Sequence, residues 1–273
     1  MAVLKLIMIG DIVGEPGLAV LESRLPALRR DTNADFVVVN GENAADGFGM
    51  TGESLGRILN AGADVVTSGN HVWEKRDFWP ALETERRMLR PANYPAGTPG
   101  RGWYQENRDG VSWVVINLQG RELMPSIDCP FRSFDAILSS LENPVSPAPP
   151  VILVDFHAET SREKEALAYY LDGRAGLVAG THTHVQTADE RILPRGTAYI
   201  TDLGMTGVPD SIIGMDTKIC LDRAKTQILY RMEVAKASPS RPSLIKGVLV
   251  EIDKDSGRAL SITRLSVPET RSA

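Results

Sequence analysis

An α/β fold follows from three features of the sequence: unbroken β-rich apolar runs, the polar or glycine-containing turns that close them, and the helical patterns that follow several of them. The runs are VLKLIMIGD (3–11), DFVVVNGEN (35–43), ADVVTSGNH (63–71), WVVINLQG (113–120), VILVDFHAE (151–159), GLVAGTHTH (176–184) and TAYITDLGM (197–205). Continuous rather than alternating apolarity marks strands buried on both faces. Helices are therefore expected on both faces of a sheet.

Each element has its own local signal. The opening MAVLKLIMIG carries Lys5 inside a short apolar stretch and has no small-residue cleavage site before Asp11, so it reads as a strand and not a signal peptide. Behind GEPG, Leu18, Leu21, Leu25 and Leu28 recur at helical spacing, and Pro16 suits a helix start. Thr51 is a cap for a second helix with Leu55, Ile58 and Leu59 as its apolar face and Gly62 as its stop. TSREKEALAYYLDG (160–173) repeats that plan after the fifth run. The charge run ETERRMLR (83–90) reads as a solvated helix face. At the end, two strand-like runs joined by DKDSG form a hairpin over about 244–267 that extends or closes a sheet. The Pro/Gly-rich segments NYPAGTPGRG (93–102) and ENPVSPAPP (142–150) are connections, since the strand grammar resumes after each, and residues 1–273 are expected to form a single domain.

Composition narrows the function. With 30 basic and 35 acidic side chains in 273 residues the formal charge is -5, which argues against a stable nucleic-acid partner held by the bare surface. No apolar stretch approaches the roughly 18 residues of a membrane-spanning helix. Cys129 and Cys220 belong to no CxxC pattern, so neither a disulfide framework nor a cysteine-based zinc site is indicated, and a reducing cytoplasm is the simplest location. GDIVGEPG (10–17) is no GxGxxG fingerprint and the sequence contains no GxxxxGK[ST], so neither a dinucleotide fold nor a P-loop is supported.

The strand ends gather the chemistry. In order they carry Asp11, then Glu42 and Asn43, then Asn70 and His71, then His157, then His182 and His184, and these include all four histidines of the chain. In open α/β sheets the ligand crevice lies beyond the carboxyl ends of the strands. Carboxylate, amide and imidazole donors together suit borderline divalent ions, and so many donors suit two ions better than one, with a carboxylate such as Glu42 able to bridge them. Two adjacent dications acidify water and neutralise phosphoryl oxygens, which is the work of phosphoester hydrolysis. Each member has a plainer reading: Asp11 as a helix cap, Glu42 and Asn43 as a solvated bend, His157 as a core histidine bonded to a carbonyl. The ordered set is what favours the metal.

That set, worded GDIVG, NGEN, SGNH, FHAE and GTHTHVQTAD between residues 10 and 189 and continued by TDLGMTG at 201–207, resembles the calcineurin-like metallophosphoesterases and, more closely, their bacterial YmdB-like branch. The resemblance implies two packed β-sheets flanked by α-helices and hydrolysis of cyclic nucleotides, 2′,3′-cyclic AMP in particular. It implies that Asp11 and His184 hold a first divalent ion, that Asn70, His157 and His182 hold a second, that Glu42 bridges them, and that His71 is the general acid. The chain departs from the wider superfamily: Val13 stands where GDxH has its histidine, so Asn43 is the candidate replacement ligand, and Glu42 replaces a bridging Asp. A harder first site fits iron or manganese better than zinc. A homo-oligomer is compatible with the sequence.

Other readings compete. The same metals would serve a phosphomonoesterase or protein phosphatase, and slow turnover would suit a regulatory nucleotide-binding protein. An amidohydrolase barrel also uses an HxH pair, but near its first strand, whereas here the pair comes late. Tyr94 and the loop 204–216 are candidate walls of the site.

Overall fold

The computed structural model describes residues 2–141 and 148–269. Much of the connection 142–150 therefore lies outside the described residues.

Its first sheet begins with β1 (Val3–Ile9), followed by helix α1 (Gly14–Thr32), β2 (Phe36–Asn40), α2 (Gly52–Asn60), β3 (Val65–Thr67) and the short α3 (Trp79–Thr84). The second sheet is built from β4 (Trp103–Arg108), β5 (Val111–Gln119), α4 (Pro130–Ser140), β6 (Val151–His157), α5 (Ser161–Leu171), β7 (Leu177–Thr181), β8 (Arg191–Ile192) and β9 (Ala198–Ile200). After α6 (Thr217–Thr226), the hairpin β10 (Leu244–Asp253) and β11 (Ala259–Pro268) returns to the first sheet. Strand orders are β11-β10-β1-β2-β3 and β4-β5-β6-β7-β9-β8. β1, β2 and β3 are mutually parallel, as are β5, β6, β7 and β9.

The two sheets face each other, and helices cover only their outer faces. Period-two side-chain alternation divides each run between two cores. On β1, Leu6 and Met8 point to the other sheet while Ile7 and Ile9 meet α1 and α2; on β6, Val151 and Leu153 point to the first sheet while Ile152, Val154 and Phe156 join Leu167 and Leu171 of α5. Phe36 and Trp113 stack across the inter-sheet core with centroids 4.7 Å apart. Burying each such side chain is worth about 1.5–3 kcal/mol. The runs are thus buried on both faces as their apolarity requires, and a second sheet, as the family resemblance implied, covers the face that the run pattern alone assigned to helices. Apolarity reports burial and is silent about the cover.

The expected helices form. Leu18, Leu21 and Leu25 of α1 are buried, and Thr51 caps α2 by accepting from Ser54 N while Ser54 Oγ accepts from Thr51 N. The run ETERRMLR is a correction: only its first two residues lie in α3, and Met88 and Leu89 are buried in bridges to Val66 and Arg101. The two apolar residues inside the charge run pull it into extended backbone over the core. Among the described residues no helix is long and apolar enough to cross a membrane.

Candidate metal centre

Parallel register within each sheet brings the carboxyl ends of β1, β2 and β3 to one edge of the first sheet and those of β6 and β7 to one edge of the second. Facing of the sheets then joins ligands that are far apart in sequence. Asp11, Glu42 and His157 are fully buried, and Asn43 nearly so.

Around His157 Nε2 stand Glu42 Oε2 at 3.0 Å, Asn70 Oδ1 at 3.1 Å and His182 Nδ1 at 2.9 Å. The hydrogen bonds behind these atoms fix their protonation. Thr181 Oγ1 donates its single proton to Asp155 Oδ1 at 2.7 Å, so toward His157 Nδ1, 3.0 Å away, it is an acceptor. His157 therefore carries its proton on Nδ1 and turns a lone pair on Nε2 into the centre. His182 Nε2 lies 3.0 Å from Glu159 Oε2, which takes its proton and leaves the Nδ1 lone pair facing the same point. Burial pushes both imidazoles down to about 3, so they are neutral. Two imidazole lone pairs, a carboxylate and an amide oxygen converge within 3.1 Å of one nitrogen. Such an arrangement is repulsive unless a cation stands among them. Glu42, His157 and His182 together satisfy the spacing of a metal-holding group.

Asp11 lies on the other side. His184 Nδ1 donates to Ile213 O at 2.8 Å, so its Nε2 lone pair is free to face Asp11 Oδ1, 3.7 Å away. Asn43 reaches the same Nε2 with its amide nitrogen at 3.2 Å; an oxygen ligand there needs the amide reversed, an exchange of near-isosteric atoms. Asp11 Oδ1 and both Glu42 carboxylate oxygens are buried without a hydrogen-bond donor. Burial raises both carboxyls, Glu42 to about 7. Orphaned buried carboxylates beside neutral imidazoles are what a divalent ion satisfies.

His71 is placed differently. It is partly exposed, its ring meets Phe48 edge-on at 5.2 Å, and its Nδ1 donates to Glu74 Oε1 at 3.1 Å. Glu74 so orients the ring and leaves Nε2 available. Tyr94 contacts Trp73 of the His71 loop and donates to Gln119 Oε1, while the loop 204–216 reaches the centre through Ile213.

Sequence reasoning missed the supports. Asp155, buried between the sheets, accepts from Asn40 Nδ2 at 2.9 Å, from Thr181 and from Thr67, while Asn40 Oδ1 accepts from Glu42 N at 3.0 Å. Burial outweighs those donors and pushes its carboxyl up to about 7. Only a hydroxyl or amide before each ligand hinted at this hub. Both histidines of the HTH segment have left-handed backbone, His182 with φ 100° and His184 with φ 66°, conformations costing about 1–3 kcal/mol each. The loop between them is clamped: Asp202 Oδ2 accepts from Thr183 N at 3.1 Å, Thr183 Oγ1 at 2.7 Å and Lys164 Nζ at 2.8 Å, and Asp202 Oδ1 accepts from Gly204 N at 2.8 Å. Thr206 N donates to Asp11 O at 2.7 Å and Met205 N to His184 O at 3.1 Å, so TDLGMTG splints the ligand loops of both sheets. Gly69 of SGNH is required by proximity, since a Cβ there would overlap Glu42 Oε2 and the His157 ring.

The family model for YmdB-like proteins matches residues 7–265. A Bacillus subtilis (strain 168) protein named 2′,3′-cyclic-nucleotide 2′-phosphodiesterase is 42% identical over 264 residues, covering 97% of each chain. Among solved structures, a Thermus thermophilus protein superposes with a TM-score of 0.88 at 38% identity, covering 98% of this chain and 100% of that one. A Mycoplasma pneumoniae protein described as a novel phosphatase gives a TM-score of 0.89 at 29% identity, covering 98% and 95%.

Proposed function

This chain belongs to the YmdB-like protein family, and we propose on that premise that it is a metal-dependent phosphodiesterase hydrolysing 2′,3′-cyclic nucleotides, 2′,3′-cyclic AMP in particular, as one domain in the cytoplasm. The observation that carries the reading is the convergence of unprotonated His157 Nε2 and His182 Nδ1 on the orphaned carboxylate of Glu42. Asp11, Asn43 and His184 would hold one divalent ion, Asn70, His157 and His182 a second, and Glu42 would be shared between them. When bound, the two ions supply Lewis acidity toward the phosphoryl oxygens and acidify the attacking water.

Iron or manganese fits better than zinc. A donor set of carboxylate, amide and imidazole with no thiolate is the harder kind that suits iron or manganese.

The chain's own residues do the rest. Glu159 and Thr181 hold the two ligand imidazoles in the tautomers a cation needs. His71, oriented by Glu74 through Nδ1–H, acts in its doubly protonated form and gives the Nε2 proton to the departing ribose oxygen, which leaves the neutral ring with its proton on Nδ1. His71→Ala tests the role: turnover of 2′,3′-cyclic AMP falls about 10²- to 10⁴-fold while elemental analysis still finds both metals. Loss of both metals, or turnover within a few fold of the parent, overturns it. A panel of 2′,3′-cyclic AMP, 3′,5′-cyclic AMP, a nitrophenyl monoester and a phosphopeptide checks the substrate class; preference for a monoester refutes the diesterase reading.

A further inference from the structure

A cavity of about 520 Å³ lies between β4 and α4 and shares no lining residue with the metal centre. Its walls include Arg86, Arg90, Arg101, Trp103, Asn107 and Ser133, and no Asp or Glu is among the described residues lining it. Three cations without an acid are not the background of a chain whose net charge is -5.

The neighbouring acids are engaged elsewhere. Glu85 pairs with Arg87 at 2.9 Å, Glu106 with Arg108, and Glu83 accepts from Gly100 N at 3.3 Å. Arg90 is the key member, because it is only 9% exposed and yet no carboxylate among the described residues pairs with it. Its Nε donates to Pro99 O at 3.2 Å and its Nη1 to Pro91 O at 2.8 Å and Ala92 O at 3.3 Å. These carbonyls fix the guanidinium plane and leave Nη2 without a partner among the described residues. The free Nη2 is open to the cavity and not sealed in the core, so an anion entering there can meet it directly. Arg86 and Arg101 are exposed at the rim, and no carboxylate pairs with either among the described residues.

We propose that this cavity binds a small phosphorylated anion, with Arg90 as the preformed anchor and Arg86 and Arg101 closing on its oxygens. Guanidinium groups match phosphate in a two-pronged geometry that lysines do not offer. The volume lies within the range of small-molecule sites, and Trp103 supplies an apolar surface for the rest of such a ligand.

Titration calorimetry of the metal-free protein with inorganic pyrophosphate tests it, with citrate as the carboxylate control. One pyrophosphate is expected per chain, with affinity falling as salt rises. Arg86→Ala with Arg101→Ala, both at exposed positions, should weaken it about 10- to 100-fold. His182→Ala with His184→Ala should leave it unchanged, which separates this cavity from the proposed catalytic centre whether or not the phosphodiesterase reading stands. Absence of saturable binding, preference for citrate, indifference to the arginine changes, or loss of binding in the histidine variant would each overturn the proposal.

Discussion

Asp202→Asn isolates the clamp behind the two histidines. Lys164 and Asp202 are 1% and 0% exposed and meet at 2.8 Å. The substitution keeps the shape but leaves the Lys164 ammonium buried without its counter-charge, a loss of about 3–5 kcal/mol. Thr183 and Gly204 keep at most part of their acceptors, because one of the two carboxylate oxygens becomes an amide nitrogen. Against a total stability of about 5–15 kcal/mol, the variant is expected to lose about a fifth or more. Lys164→Met alone should cost less, since three protein donors still face Asp202. The pair Lys164→Met/Asp202→Asn, which buries no charge, should recover about 2–3 kcal/mol relative to additivity. Urea unfolding of the metal-free protein measures all four corners of this cycle. A loss below about 1 kcal/mol for Asp202→Asn, or an additive cycle, would refute a dry clamp. Metal titration of the same variants reads the loop directly, and Asp202→Asn should bind both ions more weakly than the parent because His182 and His184 relax from positive φ.

Three further outcomes follow from the geometry. His184→Ala should weaken chiefly the ion beside Asp11, and His182→Ala chiefly the ion beside Asn70, read as stepwise stoichiometry in metal titrations; equal loss of both ions in each variant would contradict the division. Gly69→Ala should fold but lose metal binding, because its methyl displaces Glu42 or His157, and retention of two ions would show that the SGNH turn yields instead. Without metal, the folded carboxyls of Glu42 and Asp155 sit near 7, above their ordinary values of 4.5 and 3.8. At these two carboxyls the folded chain then holds protons that the unfolded chain has released, so their contribution to stability slopes downward as pH rises from about 4 to 7, against an opposing rise from His157 and His182, whose folded values near 3 lie below the ordinary 6.5. Saturating manganese should flatten the Glu42 part of that slope, and identical pH profiles with and without metal would exclude Glu42 as a ligand.

The fold was legible in part. Seven apolar runs declared strands buried on both faces, and Thr51, Thr160 and the Leu18–Leu25 face declared helices, because capping and periodicity are local physics. The strands β4 and β8, the short α3 and the exposed α6 had no comparable signal. The candidate ligands were legible because each follows the end of an apolar run, where a polar side chain in a parallel sheet reaches a crevice. Their supports were not. Asp155, Glu159, Lys164 and Asp202 act through partners whose distance in sequence no period encodes.

By itself the sequence determined which residues terminate the buried strands, and so the chemical class of the centre: carboxylates, amides and imidazoles with no thiolate. Run apolarity left open which layer covers the inner faces; the packed structure puts a second sheet there, as the motif resemblance implied, and this brings Glu42 within 3.0 Å of His157. Tertiary structure alone decided protonation and aim. The lone pair of His157 depends on Thr181 having spent its proton on Asp155, and the divergence of His182 and His184 depends on positive φ held by a buried ion pair. Both are properties of contacts closed by packing, which a chain read residue by residue does not contain.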